Sequence, residues 1–489
     1  MKIIKIAIAV LAGVIVGHCA EVYGVADGNK ERITISGGYA GPIKDYFEDL
    51  LKLFNDSHPQ YEAVFVGKGD YTKAFDATRE VVQKDSASEI SDIYMLPEFG
   101  VGEISLLLNK RDGFVPIEDL LPDLKEREYL AEANLLLTKD GQLYAYPNIA
   151  MGIVRYNLDL LEQAKKKDPT LEKIIPEELR TWDEIISAAE RVSTVLNMES
   201  AQLTYGMTFP WTFAYTIEHT FSMAGKPITS KKNGFEDPKE ARFSLSDSQV
   251  AVDLFQKLYR LFQKGVFEYV GDQSNDADAL FAKGKCFVLM EGANREPVIE
   301  GMMKKEGTNF RIAYGPLPQS TELLEGMPAA CPKPGGTGLW VTRKSEGVRA
   351  FLRYITRPDI QASWSLKTGY LPPDTLSLHE FEKQLAAEEL PVGRLKAIKV
   401  ALSQVKNRPS SRLTHVLVPS YGEIRGALFN QMFEAFLKGG PMKNRGDTVK
   451  DSAEQGEAIR QYTKEFLGAF DQQANQRIIK FSQNLEEIS

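Results

Sequence analysis

The chain has 489 residues, 43% of them hydrophobic and 26% charged, with a net charge of −8 and an isoelectric point near 5.5. That length exceeds what one compact core supports and calls for two or three domains. The acidic balance excludes a nucleic-acid binder, which needs clustered Lys and Arg against phosphate; Lys165-Lys166-Lys167 sits beside Asp168 and Glu172 and reads as a solvated helix end.

The first 26 residues stand apart. Lys2 and Lys5 precede an apolar run from Ile6 to Val16, too short to span a bilayer but right for the core of a secretory signal peptide. Two exits are open. Gly24-Val25-Ala26 offers small residues for cleavage after Ala26, and Val16-Gly17-His18-Cys19 resembles a lipobox in which Cys19 is acylated. The mature chain is therefore expected outside the cytoplasm, soluble or tethered by its N-terminus. Of the remaining cysteines, Cys286 reads as a small apolar residue on a buried strand, and a bridge to Cys331 is the other possibility.

Along the mature chain the pattern alternates. A strand at 33–36 leads to a glycine loop and to a helix burying Phe47, Leu50, Leu51 and Phe54 at one-face spacing. A strand at 62–66, a helix from Tyr71 and the strand in SDIYML follow, with Glu98 just beyond. Strand–helix alternation predicts a parallel sheet with ligands beyond its carboxyl ends, where Gly37-Gly38-Tyr39, Tyr71 and Glu98 fall.

The stretch YAYPNIAMGIVRYN (144–157) reads as a first crossing between bodies. A helix at 158–167 comes next, then one capped by Thr181 in TWDE. In FPWTFAYTIEHTF, Trp211 and Tyr215 are four apart and would share a helix face; core packing and ligand contact both explain such a pair. The Asp-rich GDQSNDADALF lacks the features of a calcium loop and is expected to cap the helix carrying Leu280 and Phe281. Strands at 286–290 and 311–316 precede Gly335-Gly336-Thr337-Gly338, where glycines let backbone approach a ligand. A helix at 346–355 leads to QASWSLKTGYLPP. There Gly369 stops a helix and a diproline stiffens the chain after Tyr370. A long amphipathic helix closes the chain at 454–484.

No catalytic pattern emerges. The five histidines are scattered, no nucleophile elbow or zinc-helix motif occurs, and no metal or cofactor is expected. Aromatics, glycines and a carboxylate at loop ends suit reversible binding of a small polar molecule.

Several segments together resemble the extracellular solute-binding proteins of ABC importers, family 1, and within it the glycerol-3-phosphate and glycerophosphodiester binders. The likeness is carried by GDY ending at Tyr71, Glu98 in YMLPEFG, TWDE, KPITSKKNGFED (226–237), FAKGKC (281–286), GGTGLWV (335–341) and KTGYLPP (367–373). It implies an α/β, two-lobe periplasmic-binding-protein fold of type II-like kind, with a hinge between lobes and extra C-terminal helices. The implied lobes are 30–148 plus 314–360, and 149–313 plus 361–489. It also implies that Tyr71, Glu98, Trp211, Gly336 and Tyr370 contact ligand, that the partner is an importer permease, and that the chain works as a monomer.

Three departures bear on the ligand. Where the phosphate binders carry an anion-holding arginine, Leu417 stands in THVLVPSYGEIR, and Arg412 is the nearest substitute. Ile149 and Ala150 replace serines near Asn148. EGANRE replaces a serine-rich turn, with Asn294 or Arg295 as stand-ins. A missing bidentate arginine hurts a dianionic monoester most. This ranks a glycerophosphodiester such as glycerophosphocholine first, an oligosaccharide second and glycerol 3-phosphate third. A secreted hydrolase or an adhesin on the same fold are remoter alternatives.

Overall fold

The computed structural model describes residues 30–39, 41–69, 71–84, 89–108, 113–130, 138–139, 142–198, 203–320, 331–387, 390–406, 415–442 and 453–488. The signal segment with Cys19, and Arg412, lie outside them.

Among the described residues twelve strands follow in chain order: β1 Glu31–Gly37, β2 Tyr61–Gly67, β3 Ile93–Pro97, β4 Thr138–Lys139, β5 Gln142–Leu143, β6 Ala145–Ala150, β7 Gly152–Asn157, β8 Tyr205–Phe209, β9 Phe267–Tyr269, β10 Cys286–Gly292, β11 Ile312–Gly315 and β12 Gly335–Val341. They make two five-stranded sheets, β2-β1-β3-β12-β6 and β11-β7-β10-β8-β9, and the small β4–β5 pair. In the first sheet β1, β2 and β3 run parallel while β12 is antiparallel to both β3 and β6. In the second, β8 pairs parallel with β9 and β10, while β7 runs antiparallel to β10 and β11.

The apolar spacing seen in the sequence is what covers these sheets. Helix Gly41–Ser57 buries the four expected residues, Phe47, Leu50, Leu51 and Phe54. Each such side chain taken from water stabilises the lobe by about 1.5–3 kcal/mol. Helix Trp182–Asn197 starts in a full capping box: the Thr181 hydroxyl accepts from the Glu184 N–H at 3.3 Å, and Glu184 Oε2 accepts from the Thr181 N–H at 2.9 Å. It lays Trp182, Ile185, Ala189 and Val192 inward. The C-terminal helices Gln249–Gln263, Phe429–Lys438 and Ala453–Ile488 meet through rings of Phe255, Phe429, Phe433, Phe466 and Phe470, with centroids 5.2–6.4 Å apart.

The passage between sheets is short. Met151, fully buried, is the one residue between β6 of the first sheet and β7 of the second. Chain also passes from β11 to β12, and again beyond Tyr370, where the Leu371 N–H donates to Ile149 O at 2.8 Å. Buried Gln404 ties two of these passages: its Nε2 donates to Gly152 O at 2.8 Å and its Oε1 accepts from the Leu317 N–H at 2.9 Å.

Three sequence expectations change. The lobe boundaries set after residue 148 and at residue 314 fall inside β6 and β11, whose whole lengths pair with β12 and β7 respectively. The boundary set at 361 falls inside helix Pro358–Thr368, because that helix packs Trp364 against Tyr39 and Phe47 beside the first sheet. The Asp-rich stretch caps nothing: helix Ser274–Ala282 starts after Gln273 without a side-chain cap, and Asp278 turns inward to Arg295. Cys286 and Cys331 are both buried, in separate apolar clusters, and no disulfide joins them.

Candidate functional site: a charged and aromatic cavity between the sheets

A cavity of about 1120 Å³ opens between the two sheets and is lined from both. Its first wall is aromatic. Tyr71 begins helix Tyr71–Gln83, Tyr370 follows the left-handed Gly369 (φ 78°), and their hydroxyls are hydrogen-bonded to each other. Tyr39 and Trp364 back them, with ring centroids 5.3 Å apart. Asn148 organises this wall: its Nδ2 donates to the Tyr39 hydroxyl at 2.5 Å, while its Oδ1 accepts from Trp364 Nε1 at 2.9 Å. Tyr370 is only 1% exposed, so it is a wall component and not a protruding side chain. Burial and the neighbouring Tyr370 push the Tyr39 phenol well up, keeping it a neutral donor.

Gly336 lies where β12 meets β6. Its φ is 117°, and a Cβ there would stand 2.0 Å from Asn148 O, so only glycine fits. Gly369 meets the opposite body in the same way, with a Cβ position 2.8 Å from Asn294 Cα. The KTGY and EGAN segments are thus pressed together, which brings Tyr370 and Asn294 to one cavity.

The second wall carries charge. Trp211 has a left-handed φ of 53°; its N–H donates to Gly271 O at 3.1 Å and its Nε1 to Ser274 Oγ at 3.0 Å. A π-helical turn, Ala214–Glu218, follows, and it faces another at Ile424–Leu428. Glu218 and Arg425 come from these turns, with Arg425 Nε 3.2 Å from Glu218 Oε1 and Lys333 Nζ 2.9 Å from Oε2. All three side chains are at most 7% exposed. Burial alone would raise Glu218, yet Arg425 and Lys333 bring it down to about 2. Burial, reinforced by the Lys333 and Arg425 charges, lowers His219 to about 3, and burial with Lys333 carries His415 well below its ordinary value. Both imidazoles are neutral. The cluster sets two cationic side chains about the Glu218 carboxylate at the cavity wall, and Asp272, a further lining carboxylate, lies within the field of Arg425. The Arg425 guanidinium lies 4.6 Å from the Phe99 ring and 5.8 Å from the Trp211 ring, spanning from one body to the other.

Of the residues singled out by sequence, Tyr71, Trp211, Asn294, Gly336 and Tyr370 all line this one cavity. Glu98 opens the short turn Glu98–Gly100 at the carboxyl end of β3. The sequence reading missed Glu218, Lys333 and Arg425. Arg425 closes the very segment in which an arginine was sought near Leu417, eight positions on; Leu417 instead donates its N–H to Asn233 O at 2.8 Å. The KNGF motif around Asn233 is structural. Lys231, Lys232, Asn233 and Gly234 are all left-handed, and the Asn233 carboxamide accepts from the Ile228 and Thr229 N–H groups at 2.7 and 2.9 Å.

Comparison with known proteins agrees with this architecture. The sn-glycerol-3-phosphate-binding periplasmic protein UgpB of Rhizobium meliloti is 25% identical over 410 residues, 82% of this chain and 87% of that protein. UgpB of Brucella abortus is 26% identical over 430 residues, 85% and 90%. Among solved structures, UgpB from Mycobacterium tuberculosis in complex with glycerophosphocholine matches with TM-score 0.62 at 16% identity, covering 91% of this chain and 98% of that one. The GacH receptor of Streptomyces glaucescens, solved unliganded and with acarbose, matches with TM-score 0.60 at 15% identity, covering 91% and 99%. These likenesses establish the two-lobe binding-protein fold. With residues 49–387 matching the model of the bacterial extracellular solute-binding proteins, the chain belongs to that family.

Proposed function

We propose that this protein is the solute-capturing component of an ABC importer and that its ligand is a glycerophosphodiester of the glycerophosphocholine kind. The observation that carries the ligand class is the buried Lys333–Glu218–Arg425 cluster, which puts two cationic side chains on the cavity wall. Cationic groups on a cavity wall favour an anionic ligand, and a singly charged diester asks less of them than a dianionic monoester would. Arg425 takes the part that the absent arginine at Leu417 would play. Tyr71, Gly336, Tyr370 and Asn294 are the polar contacts we assign to the phosphate end, Glu98 an acceptor for glycerol hydroxyls, and Trp211 a flat apolar contact. The names of the curated relatives support the glycerol-phosphate class.

An oligosaccharide is the second reading, favoured by one observation: about 1120 Å³ exceeds the volume of an ordinary small-molecule site, about 300–1,000 Å³. Capture without turnover, by a monomer that delivers to permease subunits, completes the proposal. The chain is exported, and whether it is held at the membrane depends on acylation of Cys19, which globomycin-sensitive processing would reveal.

Isothermal titration against glycerophosphocholine, glycerophosphoglycerol, glycerol 3-phosphate and maltotriose decides between the readings. Saturable binding of the diesters with R425A strongly weakened supports the first. Binding of maltotriose alone, indifferent to Arg425, replaces it with the second.

A further inference from the structure

A second buried charge group lies at the cavity wall, reached from the first through Tyr215, which bonds Glu291 and stacks on His219. Arg155 is fully buried and balanced: its Nε bonds Glu296 Oε2 at 2.7 Å, and its Nη1 and Nη2 donate to the Glu291 and Gly292 carbonyls, each at 3.0 Å. Arg295 is left facing two carboxylates. Its Nε and Nη2 both reach Asp278 Oδ2, at 2.9 and 2.6 Å, and Nη2 also reaches Asn275 Oδ1 at 2.6 Å. Glu291 Oε1 accepts from the Gly292 N–H at 2.6 Å and from the Tyr215 hydroxyl at 3.4 Å. Asp278 is fully buried and Glu291 is 4% exposed. Asp278 Oδ1 and Glu291 Oε2 are buried without a hydrogen-bond partner.

The charges that face Asp278 are Glu291 from β10, Arg295 from the turn after it, Arg155 from β7, Tyr215 from the π-helical turn, and Glu296 beside Arg155. Three carboxylates against two guanidinium groups leave one negative charge unbalanced. A buried carboxylate oxygen without a donor, in a group with one negative charge in excess, is what an added proton on Asp278 would relieve, since the carboxyl form is uncharged and can donate. Glu291 and Arg295 line the cavity, so the state of this group is felt by whatever occupies it.

We propose that Asp278 is a specificity-setting positioning residue: beside the Glu291 carboxylate it holds one exchangeable proton, and that proton decides whether the wall carrying Arg295 accepts an anionic ligand. Burial and the Glu291 carboxylate push Asp278 up to about 7, within the range where such a proton exchanges. With the proton bound, the wall is neutral and Arg295 is released from its ion pair toward an anion. With the proton lost, the wall is negative and Arg295 is held back. Binding of an anion thus takes up a proton, and affinity falls as pH rises through 7. The coupling to ligand rests on the diester reading; the proton itself does not.

The probe is glycerophosphoglycerol, whose phosphodiester does not titrate between pH 5.5 and 8.5. Wild-type protein is expected to bind it about fivefold or more tightly at pH 6.0 than at pH 8.5, with proton uptake seen as a buffer-dependent enthalpy, and D278N is expected to bind with a flat profile. A flat wild-type profile, an affinity that rises with pH, or the same slope in D278N overturns the proposal. If no diester binds at any pH, the ligand reading fails and the proton is read alone. A difference titration of ligand-free wild type against D278N should then show one group with a midpoint near 7, moved down in E291Q. A midpoint below about 5 overturns the proposal there too, since that is an ordinary carboxyl.

Discussion

Arg425 Nε and Glu218 Oε1 stand 3.2 Å apart, and each residue is delivered by a π-helical turn. Such turns widen a helix by one residue and concentrate at functional sites because they re-aim a side chain at the expense of regular hydrogen bonding. Here two of them place opposite charges in contact at a cavity wall that also carries Lys333.

The first prediction follows from that arrangement. Glu218→Gln takes away the carboxylate that pairs with both Lys333 and Arg425, and removing one member of a buried ion-paired group costs about 3–5 kcal/mol. Urea unfolding should show that loss. Arg425→Lys keeps the charge but not the planar group set between Phe99 and Trp211. It should fold and bind the diester about tenfold more weakly, or about 1.4 kcal/mol. Unchanged affinity in R425K would remove Arg425 from the site.

The second concerns pH. His219 and His415 are neutral in the fold, lowered to about 3 and well below 6.5 respectively. The unfolded chain binds protons on both below about 6.5 and the fold does not, so the two histidines lower stability on acidification from there, partly offset by Asp278, whose raised value in the fold works the other way. Between pH 6.5 and 5 each histidine contributes up to about 2 kcal/mol of that fall. His219→Gln should flatten the curve over this window when thermal unfolding is followed from pH 8 to pH 5. A slope identical to wild type would show that His219 is charged in the fold.

The helices and strands were legible because their burial is periodic: Phe47, Leu50, Leu51 and Phe54 mark one face of a helix whether or not the sheet beneath is known. Thr181 and Glu184 spell their cap locally. Tyr71, Trp211, Asn294, Gly336 and Tyr370 were reached through motifs that lie at loop ends, and those loops converge on one cavity. The charged wall was not legible. Glu218, Lys333 and Arg425 come from three distant segments, and no local spacing marks a π-helical turn or says which of many charged residues is buried. The Asp-rich segment misled for the same reason, since Asp278 answers to Arg295 across the fold and not to its own helix end.

Tyr370 supplies the third prediction. Being 1% exposed within the ring cluster of Tyr39, Trp364 and Tyr71, it cannot be truncated without a void. Tyr370→Ala should cost about 3–5 kcal/mol, the usual toll for a large buried ring, and so confuses folding with binding. Tyr370→Phe removes only the hydroxyl shared with Tyr71. It should melt within a few degrees of wild type yet bind the diester more weakly by calorimetry. Wild-type affinity in Y370F would assign Tyr370 to packing alone.

Gly336 gives the fourth. An alanine there needs both a left-handed backbone and room that Asn148 O already fills at 2.0 Å. Gly336→Ala must therefore pull β12 from β6, disturbing Asn148 and through it the Tyr39 and Trp364 contacts. A loss above about 2 kcal/mol is expected, since strained backbone and steric overlap add, together with altered tryptophan fluorescence and lost binding. A G336A protein of wild-type stability would mean that the two strands separate without cost.

Trp211 reverses an ordinary rule. Its φ of 53° places a bulky residue in the left-handed region, held there by the N–H to Gly271 O and the indole to Ser274. Left-handed backbone costs a residue bearing Cβ about 1–2 kcal/mol, a cost glycine escapes. Elsewhere glycine is the less stable replacement, because it gains more freedom on unfolding. At this position Trp211→Gly loses the ring but sheds the strain, whereas Trp211→Ala loses the ring and keeps it. Urea unfolding should therefore rank W211G level with or above W211A, with ligand affinity reduced in both because the ring is gone. If W211A proves clearly the more stable, the turn before the π-helical segment is relaxed, and the aromatic is kept there for packing and not held under strain to meet a ligand.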